Sequence, residues 1–249
     1  MSQPIYYALD FDGVLCDSAV ETSITGWKAA KTLWSNMPDA IPDEVMSDFK
    51  RVRPALETGY EAILITRLLY EGITAEALLN NFTSSMDSII RRDQLDHSEL
   101  KTLFAAVRDD WISSNLDEWL TMNPLFEGIS QKLQRIDKQK CFIVTTKQER
   151  FVHRILNANN ISLPSDQIFG LDRKRSKEEI LADLQLQQPE ILIHFVEDRL
   201  LTLESVKQNQ QLSTIKLFFA DWGYNTRQDK LDAQALGIDC ISLNDFTDS

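Results

Sequence analysis

Cysteine is scarce in this sequence. The three cysteines, Cys16, Cys141 and Cys240, lie far apart, and none belongs to a Cys-x-x-Cys pair. An odd number of widely spaced cysteines argues against a disulfide framework and against a zinc cluster, and it fits a reducing compartment. We therefore expect a cytoplasmic protein without structural disulfides.

Long apolar runs are also missing. No uninterrupted apolar stretch approaches the ~20 residues that a membrane-spanning helix requires. The amino-terminal segment has no basic residue before its first acid, Asp10, so it does not read as a signal peptide. The sequence predicts no contact with a membrane.

Positive charge is in short supply as well. The chain has 26 lysine and arginine residues against 38 aspartate and glutamate residues, a formal net charge of −12. A polyanion such as DNA would be repelled, and no basic stripe interleaved with aromatics is present, so we expect no nucleic-acid partner. A phosphorylated substrate would need positive charge supplied locally, by a metal ion or a few lysines. Composition leaves the oligomeric state open.

Short apolar runs near both ends of the chain predict β-strands. Because these runs do not alternate with polar residues, they are typical of parallel strands buried on both faces. The predicted strands are 5–9, 141–144, 191–196, 215–220 and, more weakly, 239–243. Helix-length stretches separate the later strands, at 128–138, 148–159, 177–187, 200–210 and 229–236. This alternation predicts an α/β fold with a doubly wound, Rossmann-like parallel sheet.

The region from about 18 to about 121 breaks the alternation. Apolar residues recur there at helical spacing, as at Leu100, Phe104 and Trp111. We interpret this region as an all-helical module inserted after the first strand, which suits a chain of 249 residues. The predicted organisation is a discontinuous α/β core, 1–17 and 122–249, carrying a helical insert, 18–121.

Two carboxylates follow the first predicted strand directly. Asp10 and Asp12 stand two positions apart at its carboxyl end, where open α/β sheets bind ligands, and Gly13 permits a tight turn. Their mutual repulsion calls for a cation, and hard oxygen ligands suit Mg²⁺. The simpler interpretation is that both aspartates form a turn with solvated side chains.

Three other polar positions favour the functional interpretation. Thr145 ends the second apolar run, Lys177 opens a predicted helix, and Glu197 with Asp198 follows the most hydrophobic run. Each has a structural alternative, because threonine and acidic residues cap helices and Lys177 could be a surface lysine with Lys174 in its place. Their joint occurrence at strand ends and at the start of a helix indicates a site that handles phosphate and metal.

Together these motifs resemble those of the haloacid dehalogenase superfamily, whose members are mostly phosphatases. The matching segments are 7–18 (YALDFDGVLCDS), 144–147 (VTTK), Lys177, 195–199 (FVEDR) and 222–224 (WGY). They look like the phosphoglycolate phosphatase and β-phosphoglucomutase type. The resemblance covers 1–18 and about 124–249, and the insert corresponds in position to the family's helical cap. The Gly-Lys-Pro often found in the third motif is absent around Lys177.

The resemblance implies a phosphatase that works through an aspartyl-phosphate intermediate. In that mechanism Asp10 is the nucleophile and Asp12 the acid–base partner, while Thr145 and Lys177 hold the phosphoryl oxygens. An acid at position 12 favours phosphoryl transfer over dehalogenation, because a halide leaving group needs no proton.

The same resemblance implies a Mg²⁺ cofactor. Its ligands would be Asp10, the main-chain carbonyl of Asp12, and Asp198, with Glu197 close by or one water further out. The substrate would be a small phosphorylated metabolite of unspecified identity. A sugar-phosphate mutase or a catalytically silent binding protein on the same fold stays open. A signalling receiver is disfavoured by the long insert.

Overall fold

The computed structural model describes residues 3–188 and 190–248. These residues form one sheet of six parallel strands in the order β3-β2-β1-β4-β5-β6. The strands are β1 (Ile5–Leu9), β2 (Cys141–Val144), β3 (Ile168–Phe169), β4 (Leu192–Glu197), β5 (Lys216–Ala220) and β6 (Asp239–Ile241). Two sets of three strands therefore run outward from the β1–β4 pair, and the crevice at their carboxyl ends is the expected ligand site of a doubly wound sheet.

Thirteen α-helices accompany the sheet in the described residues. Seven lie between β1 and Asn123: α1 (Ala19–Leu33), α2 (Asp43–Val52), α3 (Glu61–Tyr70), α4 (Ala75–Asn80), α5 (Phe82–Arg92), α6 (His97–Ser114) and α7 (Leu116–Thr121). The others are α8 (Ile129–Arg135), α9 (Glu149–Ala158), α10 (Lys177–Gln187), α11 (Leu200–Gln208), α12 (Arg227–Ala235) and α13 (Leu243–Asp248). Short 3-10 turns occupy Arg53–Ala55, Lys138–Lys140, Ser165–Gln167, Leu171–Arg173 and Gln210–Leu212.

The predicted fold class is confirmed, with small errors in individual elements. The first two predicted strands match β1 and β2, whereas β6 ends before Leu243 because that residue begins α13. The sequence did not predict β3 or α13. A two-residue strand is too short to show a pattern, and Leu243, the first residue of α13, was assigned to the end of the last predicted strand.

The chain divides into two compact units. The α/β unit comprises Met1–Asp17 and Pro124–Ser249, and the helical unit comprises Ser18–Asn123. Each has a separate apolar core. Phe195, Leu203 and Phe219 are buried in the core of the α/β unit, and Trp27 and Phe49 are buried in that of the helical unit.

A buried carboxylate ties three helices of the helical unit together. Glu21 of α1 accepts hydrogen bonds from Arg108 Nε (2.7 Å) and Arg108 Nη2 (2.8 Å) of α6. Trp119 Nε1 of α7 (3.0 Å) and Thr25 Oγ1 (2.8 Å) also donate to it. Because several donors satisfy it, this fully buried charge is compatible with a stable fold.

The strand register aligns the carboxyl ends of β1, β2 and β4 in the α/β unit. Leu9, the last residue of β1, is paired with Ile143 of β2 on one side and Val196 of β4 on the other. The main-chain N–H of Asp10 continues this pairing by donating to the carbonyl of Val196 at 3.0 Å. The residues that follow these three strands therefore emerge at one edge of the sheet. None of the helices within residues 3–188 and 190–248 combines the length and apolar composition that crossing a bilayer requires.

Candidate active site

Three adjacent strands deliver buried polar side chains to the carboxyl edge of the sheet. Asp10 follows β1, Thr145 follows β2, Glu197 is the last residue of β4, and Asp198 comes next. All four are buried. Burial of this many polar groups at one place is costly unless they neutralise one another or bind a partner.

Three of these residues form a compact acidic cluster. Asp10, Glu197 and Asp198 each offer a carboxylate oxygen, and these oxygens lie within 4.8 Å of one another. Lys177 Nζ lies 2.8 Å from Asp10 Oδ1 and 2.6 Å from Glu197 Oε2. When all are ionised, one ammonium among three carboxylates leaves two negative charges, which a divalent cation would balance.

The electrostatics of the cluster also favour a bound cation. The pKa of Asp10 is raised to about 6, because the effect of burial and the charge of Glu197, which both raise it, outweigh that of Lys177, which lowers it. Burial lowers the pKa of Lys177, but the combined effect of Asp10 and Glu197 is larger and opposite. The net shift of the pKa is therefore upward, and Lys177 stays protonated. Asp10 Oδ1 is buried and accepts no hydrogen bond, although the ammonium lies within ion-pair distance. A buried carboxylate oxygen of this kind, in an all-oxygen donor set, fits a hard cation such as Mg²⁺.

Glu197 also positions the Lys177 ammonium. Its Oε2 holds the Lys177 ammonium, while its Oε1 accepts the main-chain N–H groups of Asp198 (3.1 Å) and Arg199 (3.0 Å). Both oxygens are therefore engaged within the α/β unit. This arrangement fixes the lysine against Asp10, a role that the sequence did not suggest.

Of the two candidate lysines, Lys177 lies at the acidic cluster. Lys177 is the first residue of α10, whose Ser176 and Glu179 form a reciprocal capping box. Lys174 follows the turn Leu171–Arg173 in a left-handed backbone conformation and is exposed. A cation at a helix amino terminus is unfavourable by itself, and the two carboxylates at Lys177 account for its presence there.

Thr145 does not cap the helix that follows it. The N-cap of α9 is Gln148, and Thr145 Oγ1 instead accepts the main-chain N–H of Lys147 at 3.2 Å. The main-chain N–H of Thr145 donates to Phe169 of β3 at 2.9 Å, which fixes its backbone to the sheet. A hydroxyl that accepts one hydrogen bond retains its O–H as a donor, so Thr145 can donate to an anion at this edge.

Asp12 lies outside the acidic cluster and is paired with a second lysine. Lys147 Nζ lies 2.9 Å from Asp12 Oδ1 and 3.3 Å from Oδ2. Lys147 belongs to the segment 144–147 (VTTK), but the sequence predicts no function for it. Its signal was weak, because a lysine three positions after a strand end is more often solvated.

The loop after β5 contributes to the site without supplying a charged group. The main-chain N–H of Tyr224 donates to Asp198 Oδ2 at 2.6 Å, which orients that carboxylate. Gly223 packs directly against Asp198, and a Cβ added at Gly223 would also lie 2.5 Å from the carbonyl oxygen of Gly13. Only glycine allows the loops after β1, β4 and β5 to approach this closely.

Two aromatic side chains of the same loop hold the turn that follows β1. Trp222 Nε1 donates to the carbonyl of Val14 at 3.1 Å, and the Tyr224 hydroxyl donates to Asp17 Oδ1 at 2.9 Å. In the sequence, only the family resemblance draws attention to Trp222 and Tyr224. Their contacts join the segment that carries Asp10 and Asp12 to the one that orients Asp198.

No family model matches this sequence, and no curated protein matches it either. Solved structures do. A protein described as a predicted phosphatase from Clostridium acetobutylicum is 16% identical, with a TM-score of 0.56 over 99% of this chain and 98% of that one. A predicted phosphoglycolate phosphatase from Haemophilus somnus is 16% identical, with a TM-score of 0.56 over 92% of each chain. A HAD family hydrolase from Deinococcus radiodurans, with bound phosphate and sodium, is 12% identical, with a TM-score of 0.52 over 97% and 92%.

The chain is therefore an α/β protein with a doubly wound parallel sheet and a helical unit inserted after the first strand. More narrowly, it has the fold of the haloacid dehalogenase-like hydrolases, as the motifs around Asp10 and Asp198 predicted. Identities of this size establish a shared fold, and the activity follows from the chemistry of the site.

Proposed function

We propose that this protein is a Mg²⁺-dependent phosphatase that hydrolyses a small phosphomonoester through an aspartyl-phosphate intermediate on Asp10. The observation that carries the proposal is the buried cluster of Asp10, Glu197 and Asp198 with Lys177 at the carboxyl edge of the sheet. Solved proteins of the same fold are described as phosphatases, and one of them binds phosphate.

Asp10 is suited to the role of nucleophile. With a pKa of about 6 it is largely ionised at neutral pH. In the first half-reaction a carboxylate oxygen of Asp10 attacks phosphorus, the bond to the leaving oxygen breaks, and Asp12 donates a proton to that oxygen. In the second, Asp12 removes a proton from water, the water oxygen attacks phosphorus, and the bond to Asp10 breaks. Phosphate is released and both carboxyl groups return to their starting states.

The phosphoryl group needs positive charge that the chain as a whole does not provide. Lys177, fixed by Glu197, and the hydroxyl of Thr145 would hold its oxygens. Asp10, Asp198 and the main-chain carbonyl of Asp12 would hold the cation, with Glu197 near it. When bound, Mg²⁺ reduces the repulsion between Asp10 and the substrate dianion.

The helical unit, Ser18–Asn123, would act as the cap that selects the substrate. The substrate class is a small phosphorylated metabolite, in keeping with the neighbouring structures described as phosphatases. A cytoplasmic location is proposed from the small, odd number of widely spaced cysteines, which fits a reducing compartment.

The test is a panel of phosphorylated metabolites assayed for phosphate release with Mg²⁺ and with EDTA, using the wild type, Asp10→Asn and Asp183→Asn. Asp183 is a partly exposed partner of Arg175 away from the site, so its variant is a matched control. We expect Mg²⁺-dependent release by the wild type and the control and none by Asp10→Asn. An acid-stable, hydroxylamine-labile phosphate on the wild-type chain would mark the intermediate.

Turnover that survives in Asp10→Asn, with the asparagine verified by mass spectrometry, would remove Asp10 as the nucleophile. An isomerised sugar phosphate formed without free phosphate would indicate the mutase instead. Inactivity of a folded, metal-binding wild type across the panel would favour a silent binding protein.

A further inference from the structure

Lys147 is a buried lysine that the proposed reaction leaves without a role. Its side chain is 4% exposed, whereas that of its partner Asp12 is 21% exposed. Burial of an ammonium is costly unless it is paired. Lys147 donates to both carboxylate oxygens, at 2.9 Å and 3.3 Å, so it contacts the proton-transfer group rather than the acidic cluster.

The backbone around Lys147 is anchored on both sides. Its N–H donates to Thr145 Oγ1 at 3.2 Å, and its carbonyl accepts the N–H of Leu171 at 3.1 Å. Gly170 approaches so closely that an added Cβ would lie 2.6 Å from the Lys147 carbonyl oxygen. The start of this side chain is therefore fixed by β2 and by the segment after β3, and the ammonium is held at a defined place.

The position of Asp12 explains why such an anchor is useful. Asp12 lies two residues from Asp10, and a carboxylate oxygen is a good ligand for the cation that the neighbouring acids would bind. A side chain free to rotate could join that cation or turn into solvent. In either position it would be out of reach of the substrate oxygen, because general acid–base catalysis needs hydrogen-bond distance.

We propose that Lys147 is a positioning residue that holds the Asp12 carboxylate away from the cation and directed at the reacting oxygens. The proposal rests on the function proposed above, since it assigns Lys147 a part in the same reaction. Lys147 acts through Asp12 and forms no bond to phosphorus.

Lys147→Met is the test variant, because methionine keeps much of the length and removes the charge. Lys174→Met, the same change at an exposed lysine, is the control. With p-nitrophenyl phosphate, formation of the intermediate needs little help from an acid, whereas its hydrolysis needs Asp12. We expect Lys147→Met to give a burst of p-nitrophenolate equal to the enzyme concentration, followed by a steady state roughly 100-fold slower than wild type. Lys174→Met should match the wild type in both phases.

A double-mutant cycle adds a second readout. If Lys147 acts through Asp12, then Lys147→Met should change the residual steady-state rate of Asp12→Asn by no more than about twofold. Equal loss of burst and steady state in Lys147→Met, or additive losses in the double variant, would overturn the proposal and assign Lys147 a structural role only.

A second variant distinguishes a loss of folding from a loss of the proposed positioning role. Should Lys147→Met fail to fold by circular dichroism, Lys147→Arg takes its place, because it keeps the charge but displaces the carboxylate. It should keep the burst and lose steady-state rate, and equal loss of both would again overturn the proposal. If the wild type releases no phosphate with Mg²⁺, or Asp10→Asn stays active, the phosphatase proposal itself fails. If the wild type is active and Asp10→Asn is inactive, the results for the Lys147 variants test the positioning role of Lys147 by itself.

Discussion

At the scale of single residues, the site depends on placing a carboxylate where its charge is costly. Asp10 is buried beside Glu197, so its proton is held more tightly than in an unfolded chain. Lys177 offsets part of this effect. A carboxylate with weakened solvation and no hydrogen bond to one oxygen is suited to bind a cation or to act as the proposed nucleophile.

A pH dependence follows from this raised pKa. Between the ordinary value of 3.8 and about 6, the folded protein holds a proton on Asp10 that the unfolded chain has released. In EDTA, the Asp10 contribution to the free energy of unfolding should therefore fall as pH rises through this window. Asp10→Asn lacks the titration, so its stability relative to the wild type should be higher at about pH 7 than at about pH 5.

Urea unfolding of both proteins at the two pH values measures this difference. At the higher pH, added Mg²⁺ should raise the stability of the wild type relative to that of Asp10→Asn, because it binds the ionised carboxylate of the wild type. A stability difference that does not change with pH would show that burial does not raise the pKa of Asp10.

At the scale of elements, the loop after β5 decides how well Asp198 is aimed. Gly223→Ala would place a Cβ against Asp198 and 2.5 Å from the backbone carbonyl of Gly13, so one of these segments must move. We expect Mg²⁺ affinity to fall roughly tenfold or more, as when a supporting contact of a metal ligand is lost. Isothermal titration calorimetry measures the affinity.

Gly237→Ala is the matched control for that variant. Gly237 faces open space but has a φ of +68°, so alanine there should cost about 1 kcal/mol of stability through backbone strain. Its Mg²⁺ affinity should stay that of the wild type. Wild-type affinity in Gly223→Ala would contradict the account of the β5 loop.

The sequence could predict elements and strand ends better than the contacts between them. Runs without alternation predicted β1 and β2, and the polar residues after the runs predicted carboxylates at strand ends, which is where Asp10 and Asp198 lie. The contact between Lys147 and Asp12 was not predictable, because it joins residues 135 positions apart and depends on strand register. The contact of Tyr224 with Asp198 was not predictable either. It is made by the main-chain N–H, which every residue type except proline carries.

At the scale of the whole molecule, two separate cores should unfold as two events. All three carboxylates of the acidic cluster belong to the α/β unit, whereas the Glu21–Arg108 pair belongs to the helical unit. In differential scanning calorimetry, Mg²⁺ should raise the midpoint temperature of the transition of the α/β unit. Arg108→Met should lower the midpoint of the other transition, with a loss of roughly 3 kcal/mol in the free energy of unfolding of the helical unit, because it removes the cation paired with a buried carboxylate.

Arg51→Met is the control for this prediction. Arg51 forms an exposed pair with Asp48 in the same unit, and its loss should cost less than about 1 kcal/mol. A single transition that responds alike to Mg²⁺ and to Arg108→Met would show that the two units unfold cooperatively.

The pairing of β1 with β4 has a consequence for the protein during its synthesis. Asp10 is synthesised before Glu197 and Asp198, which follow only at the end of β4. A nascent chain that has not yet emerged past β4 has one of the three carboxylates and cannot bind the cation as the finished protein would. Metal loading would therefore follow the synthesis of β4 and would report that both halves of the sheet have come together.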